Sequence, residues 1–166
     1  MKSTTAEAGE AMEIASRLAA KQAIRELKAR YFRCMDMRDW AGMRDVFAGD
    51  AVMDMREEME RLVEAGLPVD PDGGLLRGCD AIVAAMSASL SGTVTVHHGH
   101  MPEIELQSAD EATGIWAMED IVSLPEGSPC RQLHGYGHYH ERYVRDDTGR
   151  WYIHSLRLSR LHVTLI

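Results

Sequence analysis

Tyr31 and Asp36 are two side chains able to donate or accept protons near the end of a helical pattern. The apolar residues before Asp36 recur at steps of three and four, which is typical of one face of an amphipathic helix: Ile24, Leu27, Tyr31 and Cys34. The basic residues of the same stretch are expected on its other sides: Arg25, Lys28, Arg30 and Arg33. A step of five residues turns about 140° around an ideal helix. Tyr31 and Asp36 therefore share one cavity only if the helix ends or distorts near Met35, or if the cavity wraps around its tip.

A second group of reactive side chains is the run His97-His98-Gly99-His100. Successive side chains of a strand face opposite sides, so His97 and His98 are expected on opposite faces of the sheet. Gly99 allows a bulge or bend at this point. Histidine titrates near neutral pH, which suits it to moving protons. The alternative is a core or surface histidine that is hydrogen bonded to backbone.

Asp120 and Arg160 are charged residues in otherwise apolar rows of two predicted strands. Asp120 alternates with Trp116 and Met118, and Arg160 follows Leu158. An unpaired buried charge is very costly, so the two side chains are predicted to pair with each other. A purely structural ion pair is the alternative to a role in chemistry.

A third cluster, on one face of a long strand, consists of His134, His138 and His140, with Tyr136 between them. Together with His98 and His100 these residues could ligate zinc, which takes three or four N, S or O ligands. No helical histidine pair or cysteine pair supports such a site, so we predict no metal. A strand rich in His and Tyr is more typical of an exposed sheet face or a subunit interface.

Helices come first in the chain and strands follow, which indicates an α+β fold in one domain, residues 1–166. Three helices are predicted at 11–37, 40–47 and 81–90, with Asp39 and Asp80 as caps of the second and third. A charged helical insertion, 55–65, and a loop, 66–74, lie between them. The period changes to two after residue 93, and the predicted strands are 93–97, 102–107, 112–124, 133–145 and 151–163. Residues 1–10 are expected to be flexible.

Composition limits the classes of partner. The net charge of −8 without a basic block argues against nucleic acid and anionic membranes as partners. Three cysteines without paired spacing are typical of reduced thiols in a cytoplasmic protein. No run approaches the roughly 20 apolar residues of a membrane span, and the first ten residues have no apolar core of a signal peptide.

Three stretches of the chain resemble a known family. They are 24–40 (Ile-Arg-Glu-Leu-Lys-Ala-Arg-Tyr-Phe-Arg-Cys-Met-Asp…Trp), 96–120 (with His-His-Gly-His-Met-Pro-Glu-Ile) and 139–160 (with Gly-Arg-Trp-Tyr-Ile). They resemble the NTF2-like (SnoaL-like, cystatin-like) superfamily, most of all the bile-acid 7α-dehydratases and more distantly the scytalone dehydratases. The resemblance implies a cone-shaped α+β barrel, with three N-terminal helices packed on a curved, mostly antiparallel sheet.

The resemblance also implies an active site, and five residues match its positions: Tyr31, Asp36, His97, Asp120 and Arg160. The implied activity is a dehydratase without a cofactor, acting by general acid and base on a hydroxylated, carbonyl-activated molecule, steroid-like or aromatic. We expect catalytic roles for Tyr31, Asp36, His97 and Asp120. The residues expected to contact the substrate or support the catalytic ones are Arg160, His100, Trp116 and Met118.

Two other functions remain open for the same pocket. One is a ketosteroid-type isomerase, which would use the same Tyr and Asp without losing water, and the other is a binding protein without activity. In each case the expected partner is a small hydrophobic molecule. An open sheet face usually needs covering, so a homo-oligomer, either a dimer or a trimer, is also expected.

Overall fold

A computed structural model describes residues 3–70 and 72–166 of the chain. The helices are α1 (Ser3–Asp36), α2 (Trp40–Arg44), α3 (Arg56–Glu64) and α4 (Cys79–Ser89). The strands are β1 (Phe47–Asp54), β2 (Leu75–Arg77), β3 (Val94–Leu106), β4 (Glu111–Ser123), β5 (Gln132–Arg145) and β6 (Trp151–Leu165). The predicted α+β fold is confirmed.

The six strands form one sheet in the order β2-β1-β6-β5-β4-β3, so β2 and β3 are its edges. Only the pair β1–β6 is parallel, and the other pairs are antiparallel. Helix α1 contacts β3, α4 contacts β1 and α3 contacts β6. Alternate residues of β4 and β5 are buried, which is the period-two pattern that the sequence shows.

Helix α1 begins earlier than predicted and has two unlike halves. Residues 6–19 are exposed, whereas Ile24, Leu27, Tyr31 and Cys34 are buried against the sheet. Residues 1 and 2 of the segment expected to be flexible lie outside the described residues. The flexibility of residues 3–10, which are helical and exposed where their side chains are described, stays a prediction.

The end of α1 at Asp36 satisfies the condition that the sequence set for Tyr31 and Asp36. Arg38 follows with φ of 58°, a left-handed conformation that reverses the chain. Its guanidinium donates hydrogen bonds to the carbonyl of Met35 and to Thr93 and Thr95 of the β3 region. The helix end is therefore fixed to the strand that carries His97.

Several predicted boundaries need correction. Helix α2 ends at Arg44 because Phe47 already belongs to β1, although Asp39 does cap it by accepting a hydrogen bond from the Gly42 amide at 2.8 Å. Helix α4 begins after Gly78, and Asp80 lies in its first turn and pairs with Arg44 instead of capping. The two strands predicted around Gly99 are one strand, β3, with an irregularity between Gly99 and Pro102.

The charged insertion is confirmed as helix α3, and it is not simply solvated. Its Glu58 and Leu62 are buried, and Met55 and Met59 face a cavity between the helices and the sheet. The following loop returns to β2, and the amide of Met55 donates to the carbonyl of Gly74 at 2.6 Å. This insertion therefore forms one wall of the cavity.

No helix among the described residues is long and apolar enough to cross a membrane. The cytoplasmic location stays a prediction.

Candidate active site

A cavity of about 230 Å³ lies between the helices and the inner face of the sheet. Thioether side chains make up much of its wall: Met35, Met53, Met55, Met59 and Met86. Its polar side chains are few and come from separate elements: Tyr31, Ser89, His97, Asp120 and Tyr139. A mostly apolar hollow with a few convergent polar groups is the usual form of a small-molecule site.

His97 and Asp36 form a hydrogen-bonded pair at this cavity. The imidazole Nδ1 lies 2.7 Å from Asp36 Oδ1, and the backbone amide of His97 donates to Oδ2 at 3.0 Å. Thr95 donates a third hydrogen bond to Oδ1 at 2.9 Å. Asp36 itself lies behind the imidazole, so the structure brings it to the site through His97.

The charge of Asp36 determines which nitrogen of His97 carries the proton. Burial alone would raise the pKa of Asp36, but the hydrogen bonds from His97 and Thr95 outweigh it and lower that pKa. An ionised carboxylate accepts hydrogen bonds only, so Nδ1 is the protonated nitrogen of a neutral His97. The other nitrogen, Nε2, keeps its lone pair and is free to accept a proton.

Phe32 fixes the plane of the His97 ring from one side. The two rings are nearly parallel, with an interplanar angle of 16° and 6.4 Å between centroids. Phe32 in turn packs against Gly99, where an added Cβ would lie 2.5 Å from the phenyl Cε2 atom. The strand shifts its register between Gly99 and Pro102, in line with the bulge or bend that Gly99 allows, and the missing side chain at Gly99 permits this close packing.

Asp120 and Arg160 pair as predicted, and a third charged residue joins them. Arg160 donates from Nη1 to Asp120 Oδ1 at 2.9 Å and from Nη2 to Asp120 Oδ2 at 2.6 Å. Glu58 of α3 binds the other edge of the guanidinium, accepting from Nε and, at 3.0 Å, from Nη2. All three side chains are buried. This cluster of Asp120, Arg160 and Glu58 has two carboxylates and one guanidinium, so its formal net charge is −1.

Glu58 was not predicted as a site residue, although the helical spacing of Met55, Met59 and Leu62 places it on the inner side of α3. The pKa of Arg160 stays above its ordinary value, because hydrogen bonds and the charges of Glu58 and Asp120 outweigh the effect of burial. Gly135 makes room for the pair, since a Cβ there would collide with Arg160 and Asp120.

Two phenols face the cavity, Tyr31 as predicted and Tyr139, which sequence analysis missed. Tyr139 lies on the buried row of β5, so the alternation of that strand was the available signal. Burial, helped by nearby Glu141, raises the pKa of Tyr31 well above its ordinary value. Burial raises the pKa of Tyr139 too. Both hydroxyls therefore stay protonated and can donate hydrogen bonds.

Lys28 is the clearest error of the sequence analysis, because it is fully buried and not on an outer side of α1. Its ammonium pairs with Glu141 and lies 4.0 Å and 3.7 Å from the ring centroids of Tyr31 and Tyr139. Burial lowers its pKa to about 8, against the opposing effect of Glu141. Tyr143 also donates to Glu141 and accepts a hydrogen bond from the Trp116 indole at 2.7 Å.

The other predicted residues lie around the cavity and do not line it. Trp116 belongs to the buried network below the tyrosines, and Met118 contacts Arg160 through its sulfur at 3.5 Å. His100 is exposed beyond the bulge of β3, so the structure does not bring it to the cavity. The cluster of His134, His138 and His140 lies on the outer face of β5, and no group of metal-ligating residues is found among the described residues.

The comparisons with known proteins agree with this architecture. The model of a family described as SnoaL-like domain matches residues 16–157. Among solved structures, the hexachlorocyclohexane dehydrochlorinase LinA type 2 is 21% identical, with a TM-score of 0.74 over 92% of both chains. A protein of Novosphingobium aromaticivorans DSM 12444, provisionally named a scytalone dehydratase, is 19% identical, with a TM-score of 0.75 over 92% of this chain and 91% of that one.

A third similar structure is hexachlorocyclohexane dehydrochlorinase LinA type 3 from Novosphingobium barchaimii LL02. It is 21% identical, with a TM-score of 0.70 over 92% of this chain and 93% of its own. At these identities the likeness shows a common fold.

Proposed function

Because the chain belongs to the SnoaL-like domain family, we propose that it is a cofactor-independent lyase that removes water from a hydroxylated, carbonyl-activated small molecule, steroid-like or aromatic. The observation that carries the proposal is the His97–Asp36 pair, whose imidazole lines an apolar cavity beside the phenol of Tyr31. Two proteins to which the chain is similar are named for eliminations, one as a dehydrochlorinase and one as a dehydratase.

His97 is the proton-transfer group of the proposed reaction. Its Nε2 takes a proton from the carbon next to the carbonyl, and the carbonyl receives the electron pair as an enolate. Asp36 stabilises the imidazolium that forms. When the enolate collapses, the carbon–oxygen bond to the hydroxyl breaks and His97 returns its proton to the departing oxygen, so water leaves and His97 is neutral again.

Tyr31 and Tyr139 are hydrogen bonded to each other, and this pair of phenols supplies a hydrogen bond to the enolate oxygen. Because burial raises the pKa of both phenols, each remains a donor throughout the reaction. A preorganised donor in a water-excluded site stabilises developing negative charge more than water does.

Asp120 offers a fixed carboxylate on β4, directly across from His97 on the neighbouring strand β3. Arg160 holds both of its oxygens, so its position is set before the substrate binds. In the proposed reaction Asp120 accepts a hydrogen bond from a substrate hydroxyl, and Arg160 is its positioning residue.

Product mass tests the proposal on a panel of hydroxylated ketones. The expected product is lighter by one water, and His97→Ala lowers kcat by about 10²–10⁴-fold, the usual contribution of one acid–base group. Circular dichroism and thermal melting of the variant control for folding. A loss below tenfold on a confirmed substrate would reject this role of His97.

The same experiment separates the two other functions. A ketosteroid-type isomerase gives a product of unchanged mass, and a binding protein returns the ligand unchanged after prolonged incubation despite measurable affinity. Neither alternative needs a leaving hydroxyl on the ligand.

We also propose that the protein is a homo-oligomer, dimer or trimer, joined through the outer face of the sheet. Large apolar side chains are exposed on this face: Val94, Val96, Ile115, Tyr136 and Leu161. An open sheet face with exposed apolar side chains usually needs covering, which a second copy of the chain can provide. Light scattering at micromolar concentration is expected to give a dimer or trimer mass, and a monomer alone would contradict the proposal.

A further inference from the structure

We infer that the cavity selects an uncharged, compact ligand of one or two rings, and that Glu58 is the residue that excludes anions. The inference rests on the proposed function only for the location of the site. It concerns binding, so it can be tested without any turnover.

Arg160 has no hydrogen-bond donor left for a ligand. A guanidinium has five N–H groups. The N–H of Nε donates to Glu58. The two N–H groups of Nη1 contact Asp120 and the sulfur of Met118, and the two N–H groups of Nη2 donate to Glu58 and Asp120. The cation nearest the cavity is therefore fully occupied by two carboxylates and one thioether sulfur.

The other nearby cations are also engaged. Lys28 pairs with Glu141 and lies against the ring faces of Tyr31 and Tyr139, below the cavity. Arg38 is held by backbone and hydroxyl groups around residues 93 and 95. No Lys or Arg occurs among the described residues that line the cavity.

The negative charges of the site, by contrast, are not fully compensated. The cluster of Asp120, Arg160 and Glu58 has one carboxylate in excess, and its Asp120 lines the cavity. Asp36 adds a second carboxylate behind His97. A ligand carboxylate entering this hollow would lose its hydration without meeting a cation, which is very costly. A carbonyl or hydroxyl oxygen instead meets the protonated phenols of Tyr31 and Tyr139.

The size of the cavity limits the ligand further. At about 230 Å³ it is smaller than the roughly 300–1,000 Å³ usual for drug-sized ligands. Of the two substrate classes proposed above, this volume favours a compact aromatic or bicyclic compound over a four-ring steroid.

Glu58 controls this selectivity because it accepts hydrogen bonds from Nε and Nη2, one edge of the Arg160 guanidinium. Glu58→Gln keeps the shape and one acceptor oxygen but removes the excess charge of the cluster. Arg160 is then paired with one carboxylate only, so an anion that enters beside Asp120 no longer meets an excess of negative charge. Glu60→Gln is the matched control, since it makes the same change of charge at an exposed position of the same helix.

Calorimetric titration at pH 7 with two unreactive probes of the same ring system tests the inference: the neutral ketone 2-acetylnaphthalene and the anion 2-naphthoate. The intact protein is expected to bind the ketone at least tenfold more tightly than the carboxylate. Glu58→Gln is expected to reduce that preference at least tenfold, and Glu60→Gln to leave it within twofold.

Equal affinity for the two probes, tighter binding of the carboxylate or no binding of the ketone would overturn the inference, and none of these results needs a variant. A Glu58→Gln preference equal to that of Glu60→Gln would overturn the role of Glu58. Tighter binding of the four-ring ketone androstenedione than of 2-acetylnaphthalene would overturn the size limit. Failure to find dehydration would reject the proposed reaction and leave these affinities standing.

Discussion

Asp36 and Asp120 are two carboxylates near His97, one behind its ring and one directly across from it on the neighbouring strand, and they differ in the partner that holds them. Asp36 is bound by an imidazole, a group with one ring nitrogen that donates a proton and one that accepts it. Asp120 is bound by a guanidinium, which keeps its proton at any ordinary pH. The first pair is suited to transferring a proton and the second to fixing a charge, so the same residue type has two roles set by its neighbour.

Asp36→Asn should disrupt the pair of Asp36 and His97. It is expected to have the largest effect of the changes considered. An amide can donate to Nδ1 and so shift the proton of His97 to Nε2, where it blocks the base. We expect kcat to fall by about 10²–10⁴-fold, in the range of one acid–base group. Steady-state kinetics with a confirmed substrate measures this, and an Asp36→Asn enzyme that keeps more than a tenth of the activity would contradict the assigned tautomer.

Arg160→Gln should break the second pair, and its main effect is on stability. It leaves Asp120 and Glu58 buried without a cation, so the free energy of unfolding should fall by about 3–5 kcal/mol, the usual cost of removing one partner of a buried ion pair. Urea denaturation measures the change. Arg157→Gln, at an exposed position of the same strand, is the control and should stay within about 0.5 kcal/mol of the parent.

Lowering the pH should weaken the pair of Asp36 and His97, and the expected loss of stability is smaller than that of Arg160→Gln. The pKa of Asp36 is lower in the folded chain than in the unfolded one, so its stabilising contribution is complete above the unfolded value, about 3.9, and is lost as pH falls through the folded value. The melting temperature of the parent should therefore drop more between pH 6 and pH 3 than that of Asp36→Asn. Parallel curves for the two proteins would refute this assignment.

Thr95→Val should have the smallest effect. It removes one of the hydrogen bonds to Asp36 and keeps the His97 contacts, so we expect a cost of about 0.5–1.5 kcal/mol and less than a tenfold loss of kcat. Kinetics and thermal melting together check this result. A loss as large as that of Asp36→Asn would show that Thr95, rather than His97, determines the state of the carboxylate.

Sequence patterns predicted both residues of the proton-transfer pair and two of the three residues of the charge-fixing cluster. The face of α1 placed Tyr31, and the alternation of β4 placed Asp120 on an inner row. Glu58 binds a residue about one hundred positions away, and no local period can show such a partner. His100 was misplaced although the alternation of β3 puts it on the same outer side as His98, where the structure has it.

Lys28 shows a different kind of error. It stands four residues after Ile24, so the helical period alone placed it on the buried face, and only its charge suggested the opposite. What stabilises it there is Glu141 of β5 together with two aromatic rings, all from the tertiary structure. At Lys28 the helical period predicts the burial correctly, whereas the charge of the residue does not.

Gly99 is an exposed residue of the edge strand β3, yet it affects the orientation of the His97 ring through Phe32. Its backbone is solvent accessible, as is typical of sites that tolerate substitution, yet Phe32 occupies the space where a side chain would begin. Because Phe32 also stacks on the imidazole, a methyl group added at this rim would tilt the ring of His97 from behind, without touching Asp36 or the ligand. Variants that lose activity are thus to be sought at the periphery of the molecule as well as among the groups that meet the substrate.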